Sequence, residues 1–105
     1  MKLEEILKEI EENEAVMLYF WGENCNVCDA LKPKIKSLLD KEFPKIKQLY
    51  INAKKNPQIA SHFSVFSIPT TIIFLDKKEF IREGRNLSIM EFKEKLKRPY
   101  EIFFN

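Results

Sequence analysis

Leu3, Ile6, Leu7 and Ile10 recur at helical spacing among Glu and Lys, so the pattern predicts an amphipathic helix over residues 2–13 with Asn13 as its stop. Ala15 to Trp21 is an unbroken apolar run of seven. It is short for a helix and shows no polar alternation, which describes a strand covered on both faces in the middle of a sheet. Gly22 ends it. A second helix is expected from near Cys25 to about Lys41, with Asn24 or Asn26 as its cap and Cys28, Leu31, Ile35, Leu38 and Leu39 keeping the period. Pro33 falls inside it and should kink rather than end it, because the apolar period continues beyond.

Ile46 to Ala53 reads as a strand. Asn56-Pro57 is a helix start, a capping side chain followed by a proline at the first helical position, and Ile59, Ala60 and Phe63 follow it. Thr70 to Leu75 is rich in β-branched residues, Asp76-Lys77-Lys78 is a turn, and Glu79 to Glu83 completes a hairpin that Gly84 breaks. Ser88-Ile89-Met90-Glu91 has the form of a capping box for a last helix carrying Ile89, Phe92 and Leu96, with Pro99 expected to stop it. Met17 and Met90 are expected to serve packing. The order α-β-α-β-α-β-β-α places a right-handed parallel crossover between the first two strands and a hairpin at the end. The expected architecture is therefore α/β: a small four-stranded mixed sheet with helices on both faces, one domain over residues 1–105, and an apolar C-terminal tail over 98–105.

With 105 residues, 45% hydrophobic and nine Phe among them, the chain has enough apolar material for one core and is not disordered. No apolar run approaches the roughly 18 residues of a membrane span, and the first residues show no signal peptide, so a cytoplasmic protein without membrane attachment is expected. Net charge is +2 but uneven: residues 1–14 hold six Glu against two Lys, and Arg82, Arg85, Lys93, Lys95, Lys97 and Arg98 thicken the other end. Few aromatics interleave these cations, so they read as a solvated face, and nucleic-acid binding has no specific support.

The two cysteines, Cys25 and Cys28, form one C-x-x-C. A pair three apart cannot staple distant elements, so it is redox-active, metal-binding or accidental. Its place matters more than its spacing. It lies where a central strand hands over to a helix, and the first-turn N–H groups and helix dipole favour a thiolate at Cys25. Cys28 lies one turn deeper on the same side, and its thiol can reach the Cys25 sulfur. This implies thiol–disulfide exchange: Cys25 attacks a disulfide and Cys28 resolves the mixed disulfide.

Phe20-Trp21-Gly22-Glu23-Asn24-Cys25-Asn26-Val27-Cys28, followed by Pro33, resembles the active-site signature of the thioredoxin family. Asn52, Asn56-Pro57, Ile68-Pro69-Thr70, the hairpin and Gly84 continue the resemblance in order, so that it covers residues 15–97. It implies a thioredoxin-like fold that here lacks the family's first strand. The implied activity is protein-disulfide oxidoreduction, with Cys25 and Cys28 catalytic and no cofactor beyond their redox-active disulfide. The resemblance also implies a cis Pro69, and a substrate groove formed by Trp21, Asn24, Asn26, Val27, Ile68, Pro69 and the loop at Gly84. Implied partners are protein disulfides and a thioredoxin-reductase-like electron donor, met by a monomer.

Three departures from the family pattern stand out. Asn24 replaces the usual Trp before the first Cys, which removes a flat apolar surface. Asn26-Val27 replaces Gly-Pro. Tyr19 and Tyr50 replace a buried acid and its Lys partner, and a tyrosine, with an ordinary pKa of about 10, is a poor base at neutral pH. Other readings compete with the oxidoreductase. A glutaredoxin-like protein would carry a Gly-Gly after the Pro69 hairpin, which is absent here. A binding module would use the same groove with the cysteines as a redox switch or idle. Zinc wants four ligands and one C-x-x-C supplies two, so a metal site would need His62 or a second chain. His62, the only histidine, is expected at a surface helix position.

Overall fold

The computed structural model describes residues 1–104 and contains α1 (Leu3–Glu12), β1 (Ala15–Trp21), α2 (Asn26–Glu42), β2 (Lys47–Asn52), α3 (Pro57–His62), β3 (Thr70–Leu75), β4 (Lys78–Glu83) and α4 (Ile89–Phe103). One sheet runs in the order β2-β1-β3-β4. β1 pairs parallel with β2, from Val16 opposite Lys47 to Trp21 opposite Asn52. β3 is antiparallel to both β1 and β4.

The seven-residue apolar run becomes a central strand because it must feed two cores at once. Ala15, Met17 and Tyr19 point to the face covered by α2 and α4, where Leu31, Ile35, Leu39, Phe92 and Leu96 meet them. Val16, Leu18 and Phe20 point the other way, to Ile6 and Ile10 of α1 and Ile59 and Ala60 of α3. All six are buried, so β1 is sandwiched between helical layers. Three of the six basic side chains toward the C-terminus are matched: Lys93 pairs with Glu42, Lys95 with Glu83 and Arg82 with Glu79, each at 2.8–2.9 Å.

Several expectations are corrected. Pro99 does not stop the last helix, which continues to Phe103 with the proline inside it. The tail is held there by packing: the Tyr100 ring stacks edge-on against Phe43 at 5.0 Å, Phe104 lies against Tyr100 at 4.8 Å, and the Lys45 amide donates to the Tyr100 hydroxyl. Met90 is 79% exposed rather than packed, since it falls off the Ile89–Phe92–Leu96 stripe. Leu7 is 39% exposed, so the buried face of α1 is narrower than the pattern suggests. The cap of α2 is neither Asn24 nor Asn26. Asn24 takes a left-handed conformation (φ 58°), Asn26 is already inside the helix, and Cys25 itself is the capping residue.

Candidate functional site

The C-x-x-C pair sits at the point where β1 leaves the sheet. Gly22 ends the strand, Glu23 and Asn24 turn outward, and Cys25 takes the extended backbone of a helix cap. Its Sγ accepts a hydrogen bond of 3.2 Å from the Cys28 amide, the place usually filled by a hydroxyl or carboxylate. The two cysteines are joined as a disulfide across a Cα separation of 5.3 Å. Cys25 is 9% exposed and Cys28 1%, so Cys25 is the less deeply buried of the two. Cys25 thus caps the N-terminus of a 17-residue helix, whose positive dipole end favours negative charge there.

Tyr19 lies beneath the pair. Its hydroxyl donates to the Cys28 carbonyl at 2.9 Å, in a fully buried position. Burial, then the charges of Asp29 and Tyr50, push its pKa up to about 12. At neutral pH Tyr19 is thus a proton donor to the backbone and holds no charge. The Tyr50 ring meets it edge-on at 5.8 Å, donates its hydroxyl to Gln48 at 2.6 Å, and is likewise pushed up to about 12, chiefly by burial. Lys32, one turn past Cys28, places its ammonium over both the Tyr50 ring (4.9 Å) and the Trp21 ring (5.7 Å). Trp21 is therefore half-buried at the end of β1 and clamped by a cation from α2.

The Ile68–Pro69 peptide bond is cis, and Pro69 is buried. The loop before it is fixed by the Thr70 hydroxyl donating to the Ser67 carbonyl at 2.7 Å. Ile68 approaches Gly22 so closely that a Cβ on the glycine would lie 2.7 Å from the Ile68 Cδ1. That contact brings the Pro69 loop against the turn that leads to Cys25. Of the residues expected at the site, Cys25, Cys28, Trp21 and Ile68 therefore cluster around the end of β1. Asn24 and Asn26 are exposed on the turn and first helical position, with Val27 half-buried between the cysteines. Gly84 is exposed and has nothing within 4 Å of a Cβ position. It lines a cleft with Phe66, Ser67, Thr70 and Arg82. His62 is exposed on α3 and stacks edge-on against Phe63.

Sequence reasoning missed the Gly22–Ile68 approach, although Gly22 is one of only two glycines in the chain. It also missed the Lys32 clamp, and the Tyr19 bond to a backbone carbonyl, which no motif encodes. Phe66, 86% exposed beside Ile68, carried a visible signal: an aromatic residue in a loop with no periodic face to join.

A strand-terminal C-x-x-C capping a long helix, on a four-stranded mixed sheet with helices on both faces, defines a thioredoxin-fold thiol–disulfide protein. The family model described as Thioredoxin matches residues 2–98, and the chain belongs to that family. It is 36% identical over 94 residues to the thioredoxin-like protein YdfQ of Bacillus subtilis (strain 168), covering 90% of this chain and 83% of that one. Thioredoxin 1 of Thermosipho africanus TCF52B superposes with a TM-score of 0.75 at 32% identity, over 86% of this chain and 99% of the other. Mitochondrial thioredoxin 3 of Saccharomyces cerevisiae, in its oxidised form, shares the fold, with a TM-score of 0.79 at 21% identity, over 90% of this chain and 88% of that one. The coarse function follows from family, fold and cysteine pair together: a thiol–disulfide oxidoreductase.

Proposed function

We propose that the chain is a protein-disulfide oxidoreductase working through the Cys25–Cys28 pair alone, without a further cofactor. The observation that carries this reading is the position of Cys25, the less deeply buried of the two, capping α2 and bonded to a buried Cys28. In the reduced protein the Cys25 thiolate attacks one sulfur of a substrate disulfide. An S–S bond forms between Cys25 and the substrate, and the other substrate sulfur leaves as a thiolate that takes up a proton. Cys28 then gives up its proton to water and attacks the Cys25 sulfur. The mixed disulfide breaks and the second substrate thiol is released. Two electrons have passed to the substrate, and the protein holds the Cys25–Cys28 disulfide. A dithiol donor, a thioredoxin-reductase-like protein in our reading, restores the reduced pair. Trp21, Val27, Ile68 and Pro69 form the near wall of the substrate groove in this proposal, with Asn24 and Asn26 at its rim and Gly84 at its far edge. We place the protein as a monomer in a reducing compartment such as the cytoplasm, where a dithiol persists.

Reduction of insulin disulfides with dithiothreitol as donor tests the reading. The wild type is expected to accelerate it, Cys25→Ser to be inactive, and Cys28→Ser to accumulate a covalent complex with its substrate. A wild type no faster than dithiothreitol alone would rule the enzyme out.

One observation favours a second reading, a binding module whose cysteines act as a redox switch. The side chain beneath Cys28 is a neutral phenol, so Tyr19 does not accept the Cys28 proton near pH 7. A mixed disulfide with a long lifetime would serve capture better than turnover. Stopped-flow measurement of its decay separates the two.

A further inference from the structure

Phe66 is the most exposed large hydrophobic side chain among the described residues. It is not on a loose tail. The Val65 amide donates to the Ala60 carbonyl at 2.8 Å, the Arg82 guanidinium reaches the Phe63 and Ser64 carbonyls, and the Thr70 hydroxyl holds the Ser67 carbonyl. The backbone on both sides is thus pinned and the ring projects into solvent from an ordered loop, so little backbone ordering remains to be done on binding. The ring forms one wall of an apolar cleft of about 300 Å³, with Pro57, Ala60, Val65 and Ile68 behind it. Ile68 packs on Gly22, three residues before Cys25, so the Ile68 and Lys54 side of the cleft adjoins the turn that leads to the reactive pair. Its polar rim is Lys54, whose aliphatic stem also lies over Gly22 and which has no carboxylate partner among the described residues. Its neighbour Lys55 is already paired, with Glu23.

The residue directly before Cys25 is Asn24, exposed and polar. The apolar wall of the cleft is therefore supplied by α3 and the loop before Pro69, not by the turn before Cys25.

We infer that Phe66 and its cleft are a specificity site for a disulfide-bearing protein segment that carries a large apolar side chain with a carboxylate next to it. The apolar side chain enters between Phe66 and Ile68, and the carboxylate meets the Lys54 ammonium. The occupant follows from the two chemistries of the cleft: a flat apolar wall that gains by losing water, and one unmatched cation at its rim. This inference rests on the reading of Cys25 and Cys28 as exchanging disulfides with proteins.

Two cyclic disulfide peptides test it, one with Phe and Glu beside the cystine and one with Ser and Lys, together with the small neutral disulfide bis(2-hydroxyethyl) disulfide. The wild type is expected to reduce the Phe–Glu peptide with kcat/KM about tenfold above the Ser–Lys peptide, the size of a single aromatic anchor. Phe66→Ser should remove that preference through KM, and Lys54→Glu should reverse its charge component. Both variants should keep the wild-type rate on bis(2-hydroxyethyl) disulfide, which carries neither a large apolar group nor a carboxylate. Equal wild-type rates on the two peptides, or a preference that survives Phe66→Ser, would overturn the inference. A linear Phe–Glu peptide with Ser in place of Cys, titrated against the oxidised protein by Trp21 fluorescence, separates this from the redox reading. If the wild type reduces no disulfide yet binds that peptide in a Phe66-dependent way, the docking site stands and the oxidoreductase falls. If that binding is absent, or if ultracentrifugation shows a Phe66-dependent dimer that occupies the face, the docking site falls.

Discussion

Tyr19 sets the chemistry that the reactive pair can use. Its hydroxyl is committed to the Cys28 carbonyl, and its pKa of about 12 keeps the proton in place across the physiological range. It is therefore a brace for the helix start and not a base. Tyr19→Phe should cost about 1 kcal/mol in urea unfolding, the worth of one buried hydrogen bond to a carbonyl. The pH profile of mixed-disulfide decay should not move, whereas loss of a general base would shift it. The same tyrosines also predict alkaline behaviour. Unfolded tyrosines ionise near pH 10, but Tyr19 and Tyr50 ionise near 12 when folded. Between those values the unfolded chain binds fewer protons, so stability falls as pH rises from about 10 to 12. Tyr19→Phe should flatten that fall when denaturation midpoints are compared across the range. Opposite Tyr19 on β3, the buried Thr71 hydroxyl has no hydrogen-bond partner. Replacing it with the isosteric Val removes an unmatched polar group, and Thr71→Val should raise stability by up to about 1 kcal/mol. A drop in the urea midpoint would contradict that.

At the scale of elements, the sequence spoke most clearly where one residue type had one possible environment. The run from Ala15 to Trp21 had no polar position to turn toward water, so a strand covered on both faces was the only economical fate. Ser88 capped α4 as its type requires, accepting from the Glu91 amide. Reading failed where tertiary contacts overrode a local rule. A proline inside a helix removes a hydrogen bond and crowds the preceding turn, at about 3 kcal/mol. Pro99 is nevertheless inside α4, because ending the helix there would strand the Tyr100 and Phe104 rings away from Phe43. That partner lies 57 positions back in the chain and leaves no trace in local spacing. Tyr100→Ala should therefore lower stability by about 2 kcal/mol, less than a fully buried aromatic since the ring is only half-covered. Its thiol–disulfide exchange rate should match the wild type, because the ring packs at the far end of α2. Equal urea midpoints for mutant and wild type would show that the last turn of α4 adds nothing to the core.

The whole molecule converges on one short stretch, the exit of β1. Its side chains divide two cores between opposite faces of the sheet, and its end supports both the cap of α2 and the loop before Pro69. The cysteine pair was legible because a reactive motif lies along the chain. The second wall was not, because it depends on Gly22 meeting Ile68 across 46 residues. Gly22 is needed there for space and not for backbone freedom, since its φ is not positive. A methyl group at this position would meet the mobile tip of Ile68, which can turn aside. Gly22→Ala should thus fold with a penalty of about 1 kcal/mol, the size of an off-rotamer side chain. Its consequence should appear in recognition: Ile68 is pushed off the turn, and the cleft it shares with Phe66 changes shape. Alkylation of reduced Cys25 by iodoacetamide, which needs no groove, should proceed at the wild-type rate. Reduction of a protein disulfide should slow about tenfold, as expected when a reacting pair is displaced by a fraction of an ångström. If both rates fell together, the glycine would be tuning the sulfur itself, and the division between a chemical wall at α2 and a binding wall at Ile68 would have to be abandoned.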